Sequence, residues 1–164
     1  MNNPTIHIEM RPLFWMTEVL AFLIVLANTG LVLVNYAGLP ETIPIHFTAT
    51  GEPDAYDDKS MLLFMAVAAI LLCFILTFLG RLPRLFQYPF KVTEENAKRQ
   101  YENAAIGLRL INIVVALMFG YTSYATIAIS QETMDSLGAW FLPTTVAVLM
   151  IISTVFIYRA YKRQ

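Results

Sequence analysis

His46 stands in a stretch, Leu39 to Lys59, that also holds Glu41, Glu52, Asp54, Asp57 and Asp58. One imidazole among five carboxylates is raw material for a cation site. Oxygen-rich sets of this kind suit Ca²⁺ or Mg²⁺, whereas a single histidine is thin for zinc. His46 and Asp54 are the candidate metal ligands. The plainer use of the same residues is structural: His46 hydrogen-bonds within the loop, Asp54 closes a turn, and the other acids are solvated. No cofactor is expected on that reading, and a divalent cation is what the first would add.

A second carboxylate, Glu18, lies inside an apolar run. Ionisable groups in such runs mark ion pathways, so Glu18 would suit a small proton-coupled transporter. The alternative is a structural ion pair with Arg109, which lies one turn into another apolar run. Catalysis has less to stand on. The chain has no H-E-x-x-H, no G-x-S-x-G and no phosphate-binding glycine loop. Ser123 and Ser130 have no base on their stripe. No catalytic residue is expected and the chain reads as a non-enzyme, with a metal-dependent membrane enzyme as the catalytic alternative. Cys73 is the one cysteine, which excludes dithiol–disulfide exchange within a chain.

The elements that must position these groups are membrane helices. Charged residues make up 14% of the 164 residues, and mean hydropathy is +0.59. A soluble domain carries roughly 25% charge. Leu13 to Val34, Met61 to Leu79, Ile106 to Ile129 and Ala139 to Tyr158 each approach the ~20 residues that span a hydrocarbon core. The reading is an all-α integral membrane protein: a four-transmembrane-helix bundle with a long extracytoplasmic lid loop and a third helix extended into the cytoplasm. Residues 1–164 form a single membrane domain, with helices over about 13–35, 60–80, 94–129 and 138–160 and the lid at 39–59. The first run is too long for a signal-peptide core of ~7–15 residues and reads as an anchor that stays.

Charge sets the orientation. Arg11, Arg81, Arg84, Lys91, Lys98, Arg99, Arg109, Arg159, Lys162 and Arg163 share one side, leaving only Lys59 on the other. Both termini are therefore expected in the cytoplasm and the lid outside it.

Helical spacing gathers two polar seams. Glu18, Ala21, Val25, Asn28, Val32 and Asn35 recur by three and four, as do Arg109, Asn112, Ala116, Phe119, Ser123, Thr126 and Ser130. Lipid cannot satisfy Glu18, Asn28, Arg109 or Asn112, so both seams should face the bundle interior, with Glu18 pairing Arg109. Ala66 and Ala69 offer close approach on the second helix. Thr93 is the expected cap of the third helix, whose first third carries an apolar side of Ala97, Tyr101, Ala104 and Leu108, with Ala97, Tyr101 and Ala104 a dock for a cytoplasmic partner.

In the lid, Thr42 to Phe47 alternates and should place Ile43, Ile45 and Phe47 on one side of a strand. Thr50 to Asp54 reads as the turn that follows. Asp57, Asp58 or Ser60 can cap the second helix. Loops of this length are functional or disordered, and the isoleucines, Phe47 and Tyr56 favour a lid packed on the bundle. The connection from Arg81 to Val92, with Pro83 and Pro89 among apolar residues, should lie at the headgroup boundary. Its basic residues read as positive-inside charge and lipid contact, with no nucleic acid as partner. His7 is expected to be solvated and has no role.

The lid also carries a motif. Leu39-Pro40, Ile43-Pro44, His46-Phe47, Gly51, Pro53-Asp54 and Lys59 resemble the bacterial membrane-protein family described as domain of unknown function 1648. Tyr88 to Asn96 is similar to short members of it. The resemblance extends to the N-terminal part of SdpI-type immunity proteins, which protect the producing cell from a secreted toxin. Their second domain has no counterpart in these residues, so the resemblance implies the membrane module and its outer loop. It makes Pro40, Pro44, His46, Phe47, Gly51, Pro53, Asp54 and Lys59 the ligand or lid motif. The expected function is a receptor-like or immunity-like signalling protein of the bacterial cytoplasmic (inner) membrane. Its expected partners are the lipid bilayer, an extracellular peptide, and a cytoplasmic protein or a second copy of the chain.

Overall fold

The computed structural model describes residues 3–6, 8–88 and 90–162. His7, Pro89 and Arg163 therefore lie outside the described residues. Four long helices dominate: α1 (Pro12–Tyr36), α2 (Ser60–Gly80), α3 (Glu94–Ser130) and α4 (Phe141–Lys162). Each is long and apolar enough to cross a membrane. They run up and down, so α1 and α3 point the same way.

Local chemistry sets the helix ends. Pro12 opens α1 at a position where its missing N–H costs nothing. Thr93 and Asn96 form a reciprocal cap at the start of α3: Asn96 N donates to Thr93 Oγ1 and Thr93 N to Asn96 Oδ1. At the start of α2, Asp58 Oδ1 accepts from Ser60 N at 2.8 Å.

The buried face of α1 is Phe14, Glu18, Ala21, Val25, Asn28 and Val32, so burial follows the predicted seam, with Asn35 half-buried at its end. Arg109, Asn112, Ala116, Ser123 and Thr126 are buried along α3. Small residues let the two helices approach: Ala21, Val25, Cys73 and Ala116 form one cluster of the core, where α1, α2 and α3 meet. Ala66 and Ala69 are buried on α2 as expected. α4 packs chiefly on α3, and Ala160 is its one buried residue among those described.

α3 has 37 residues, about 56 Å of helix against ~30 Å of hydrocarbon. Its first turns are covered by the chain itself. Ala97 and Tyr101 are fully buried with Val92, against Ile6, Ile8, Tyr88 and Phe90. Tyr101 donates its hydroxyl to Pro4 O, while Gln100 and Asn103 donate to carbonyls of α4 at Ala160 and Phe156. The apolar side that the sequence offers to a partner is thus occupied internally at Ala97 and Tyr101.

The connection between α1 and α2 holds two strands, β1 (Thr42–Phe47) and β2 (Pro53–Asp58), paired antiparallel. The second strand is unforeseen by the pattern, because PDAYDD carries too many acids to look like one. The tight turn falls at 48–52, earlier than Thr50 to Asp54. Thr48 N donates to Glu52 O and Gly51 N to Thr48 O. Pro53 and Asp54 belong to β2 instead.

Candidate functional site

Two places combine polar groups with designed-looking geometry. The first is the hairpin. Its register runs Thr42 with Asp58, Ile43 with Asp57 and Pro44 with Tyr56, then slips at Ile45 and again at Asp54. Each slip inserts one residue without a partner, and it resets which face the next side chain takes. Ile43 is buried at 1% exposure, but Ile45 is turned out at 43%. The alternation expected of Ile43, Ile45 and Phe47 therefore fails at Ile45, and Pro44 takes the second buried place.

The slips bring His46 and Asp54 side by side on the exposed surface, with Nδ1 2.5 Å from Oδ1. The other acids do not join them. Glu41 takes the Lys59 ammonium at 3.0 Å, Asp57 accepts from Asp58 N, and Asp58 caps Ser60. Among the described residues, no group of three or more His, Cys, Asp or Glu side chains could hold a metal ion. The hydroxyl and N–H of Ser60 hold the Asp58 carboxyl below its usual range.

The rest of the motif builds the hairpin and fixes it to the bundle. Leu39 and Ile43 are buried with Val32 of α1, Leu62 and Ala66 of α2, and Ile127 of α3. Lys59 reaches back to Glu41 and to Leu39 O, with its ammonium over the Tyr36 ring. Gly51 adopts φ +85°, and a Cβ there would lie 2.8 Å from the backbone of Gly138, itself at φ +84°. Leu137 N, in the turn between α3 and α4, donates to Gly51 O at 2.8 Å. Phe47 lines a small cavity with Leu137 and Phe141 at the same junction. Pro40 is exposed just before β1. Leu137 and Gly138 are partners no motif announces, because the turn that holds them is short and featureless in sequence.

The second place is the opposite end of the bundle. Glu18 is 2% exposed, and both of its oxygens are engaged. Arg109, also 2% exposed, donates from Nε and Nη2 to Oε1 at 3.1 and 2.7 Å. Arg81 donates from Nε to Oε1 at 3.3 Å and from Nη2 to Oε2 at 2.5 Å. Arg109 Nη1 also donates to Gly80 O and Ala105 O. Phe14 backs the Arg109 guanidinium and Trp15 that of Arg81. The expected Glu18–Arg109 pair is present, but Arg81 is a third member that spacing alone does not reveal. It sits just past the end of α2, outside both seams. Farther along, Asn112 Nδ2 donates to Thr77 Oγ1 and Cys73 O, while neither amide atom of Asn28 has a hydrogen-bond partner among the described residues.

Residues 23–71 match the family model described as Domain of unknown function (DUF1648). The matched span runs from α1 through the hairpin into α2. It includes every residue of the hairpin motif and leaves out Glu18, Arg81 and Arg109. No curated protein and no solved structure gives a match.

Proposed function

We propose that the protein is a non-enzymatic, receptor-like or immunity-like protein of the bacterial cytoplasmic membrane, whose hairpin engages a secreted peptide on the outer side. The observation that carries this reading is the two-sidedness of the hairpin. One face, Leu39 and Ile43, is seated among three helices, and its tip is bonded to the turn before α4. The other presents Ile45, Tyr56 and the His46–Asp54 pair to solvent. Among the described residues each strand also has an edge with no strand partner, a surface to which extended peptides add by backbone hydrogen bonds. A hairpin clamped this way can report occupancy to α1, α2 and the α3–α4 turn together.

Orientation follows from charge. Every described Lys and Arg except Lys59 lies at the end away from the hairpin, which on the positive-inside rule is the cytoplasm, with both termini there. The transporter alternative draws no support from Glu18, whose oxygens are both held by guanidinium donors. The test is complementation of a deletion strain exposed to peptides secreted by neighbouring cells. The wild-type gene restores the strain's phenotype. An Ile45→Ser/Tyr56→Ala double variant, present in the membrane at normal level and thermal stability, does not. Full restoration by that variant would contradict the proposal.

A further inference from the structure

The Glu18 cluster borders a cavity of about 400 Å³ that opens at the basic end of the bundle. Its cationic wall is Arg81, Arg84 and Arg109, and among the described residues no aspartate or glutamate lines it. Glu18 neutralises only one of these three charges. Among the described residues the guanidinium of Arg84 has no ion-pair or hydrogen-bond partner, and Arg81 Nη1 has no acceptor after Nε and Nη2 are spent on Glu18. The rest of the wall is largely apolar, with Ile6, Ile8, Met10, Phe14 and Leu82 prominent. Arg81 and Arg84 are both exposed, so their free donors are open to an anion that arrives at the mouth of the cavity.

We propose that this cavity binds the phosphate of an anionic phospholipid, held by Arg81 and Arg84, with its acyl chains along the apolar wall. Three features favour a lipid over a free anion. The cavity sits where the spanning helices α1 and α2 reach their polar ends, at headgroup depth. It is open rather than sealed. Its apolar residues would gain nothing from inorganic phosphate. Guanidinium is also the group best suited to grip phosphate oxygens in pairs.

Native mass spectrometry of the intact protein, released from detergent with added lipid, tests this. Phosphatidylglycerol should bind in preference to phosphatidylcholine of the same chains. Arg84→Gln should weaken that binding about tenfold, the scale of one charge-assisted contact, and Arg84→Lys, which keeps the charge but not the paired donors, should weaken it less. Arg159→Gln removes an exposed charge at the same end of the bundle but outside the cavity, and should leave binding unchanged. Arg84 is exposed and its side chain bonds no described residue, so its substitution spares the fold. Equal binding of the two lipids would overturn the proposal, as would unchanged binding by Arg84→Gln. So would displacement of phosphatidylglycerol by inorganic phosphate alone.

Discussion

Glu18 accepts from two guanidiniums, that of Arg109 buried with it and that of Arg81 half exposed. Taking such charges from water is costly, and the geometry repays that cost only while the set is complete. Glu18→Gln leaves Arg109 buried without its counter-charge, and should destabilise the protein by about 3–5 kcal/mol. Thermal unfolding in detergent measures this. An unchanged midpoint with lost transport activity would instead favour a proton-carrying role. Asp58 makes a prediction about pH. Its folded pKa is depressed from the ordinary 3.8 by Ser60. Its contribution is therefore fully present above the ordinary value and is lost as pH falls through the lower, folded value. Between those values the thermal midpoint of wild type should fall more steeply than that of Asp58→Asn. Parallel curves would contradict the assignment.

At the level of elements, the helical seams were legible and the hairpin was legible only in part. A period of three and four maps directly onto the buried face of a helix, because backbone geometry allows no slip. Glu18, Asn28, Arg109 and Asn112 are therefore where spacing puts them. A strand has period two, and one inserted residue reverses every later side chain. That is why Ile45 points out although Ile43 points in. The place of Arg81 beside Glu18 is hidden in the sequence for a different reason. A residue beyond a helix end has no fixed azimuth, so its partner emerges only from packing. Gly51 tests the clamp between elements. Gly51→Ala imposes positive φ on alanine and drives a methyl into Gly138. It should cost about 1–3 kcal/mol from backbone strain alone, read as a lower midpoint. Retained stability would mean that the hairpin tip is not held against the α3–α4 turn.

At the scale of the whole molecule, the ends of the bundle differ in kind. One is a small sheet clamped over three helices, with a polar pair on its outer surface. The other is cationic, cavity-bearing and folded back on itself through Tyr101 and Val92. On our proposal the first end meets the outside and the second meets the cytoplasm. A membrane-impermeant thiol reagent applied to intact cells tests this most directly, because Cys73 is buried and the wild type supplies its own blank. Tyr56→Cys, at a side chain 59% exposed on the hairpin, should label in intact cells. Tyr161→Cys, 52% exposed at the end of α4 past the apolar run, should label only after the cells are opened. Labelling of Tyr161→Cys but not Tyr56→Cys in intact cells would put the hairpin in the cytoplasm and contradict its role as receiver of an external ligand.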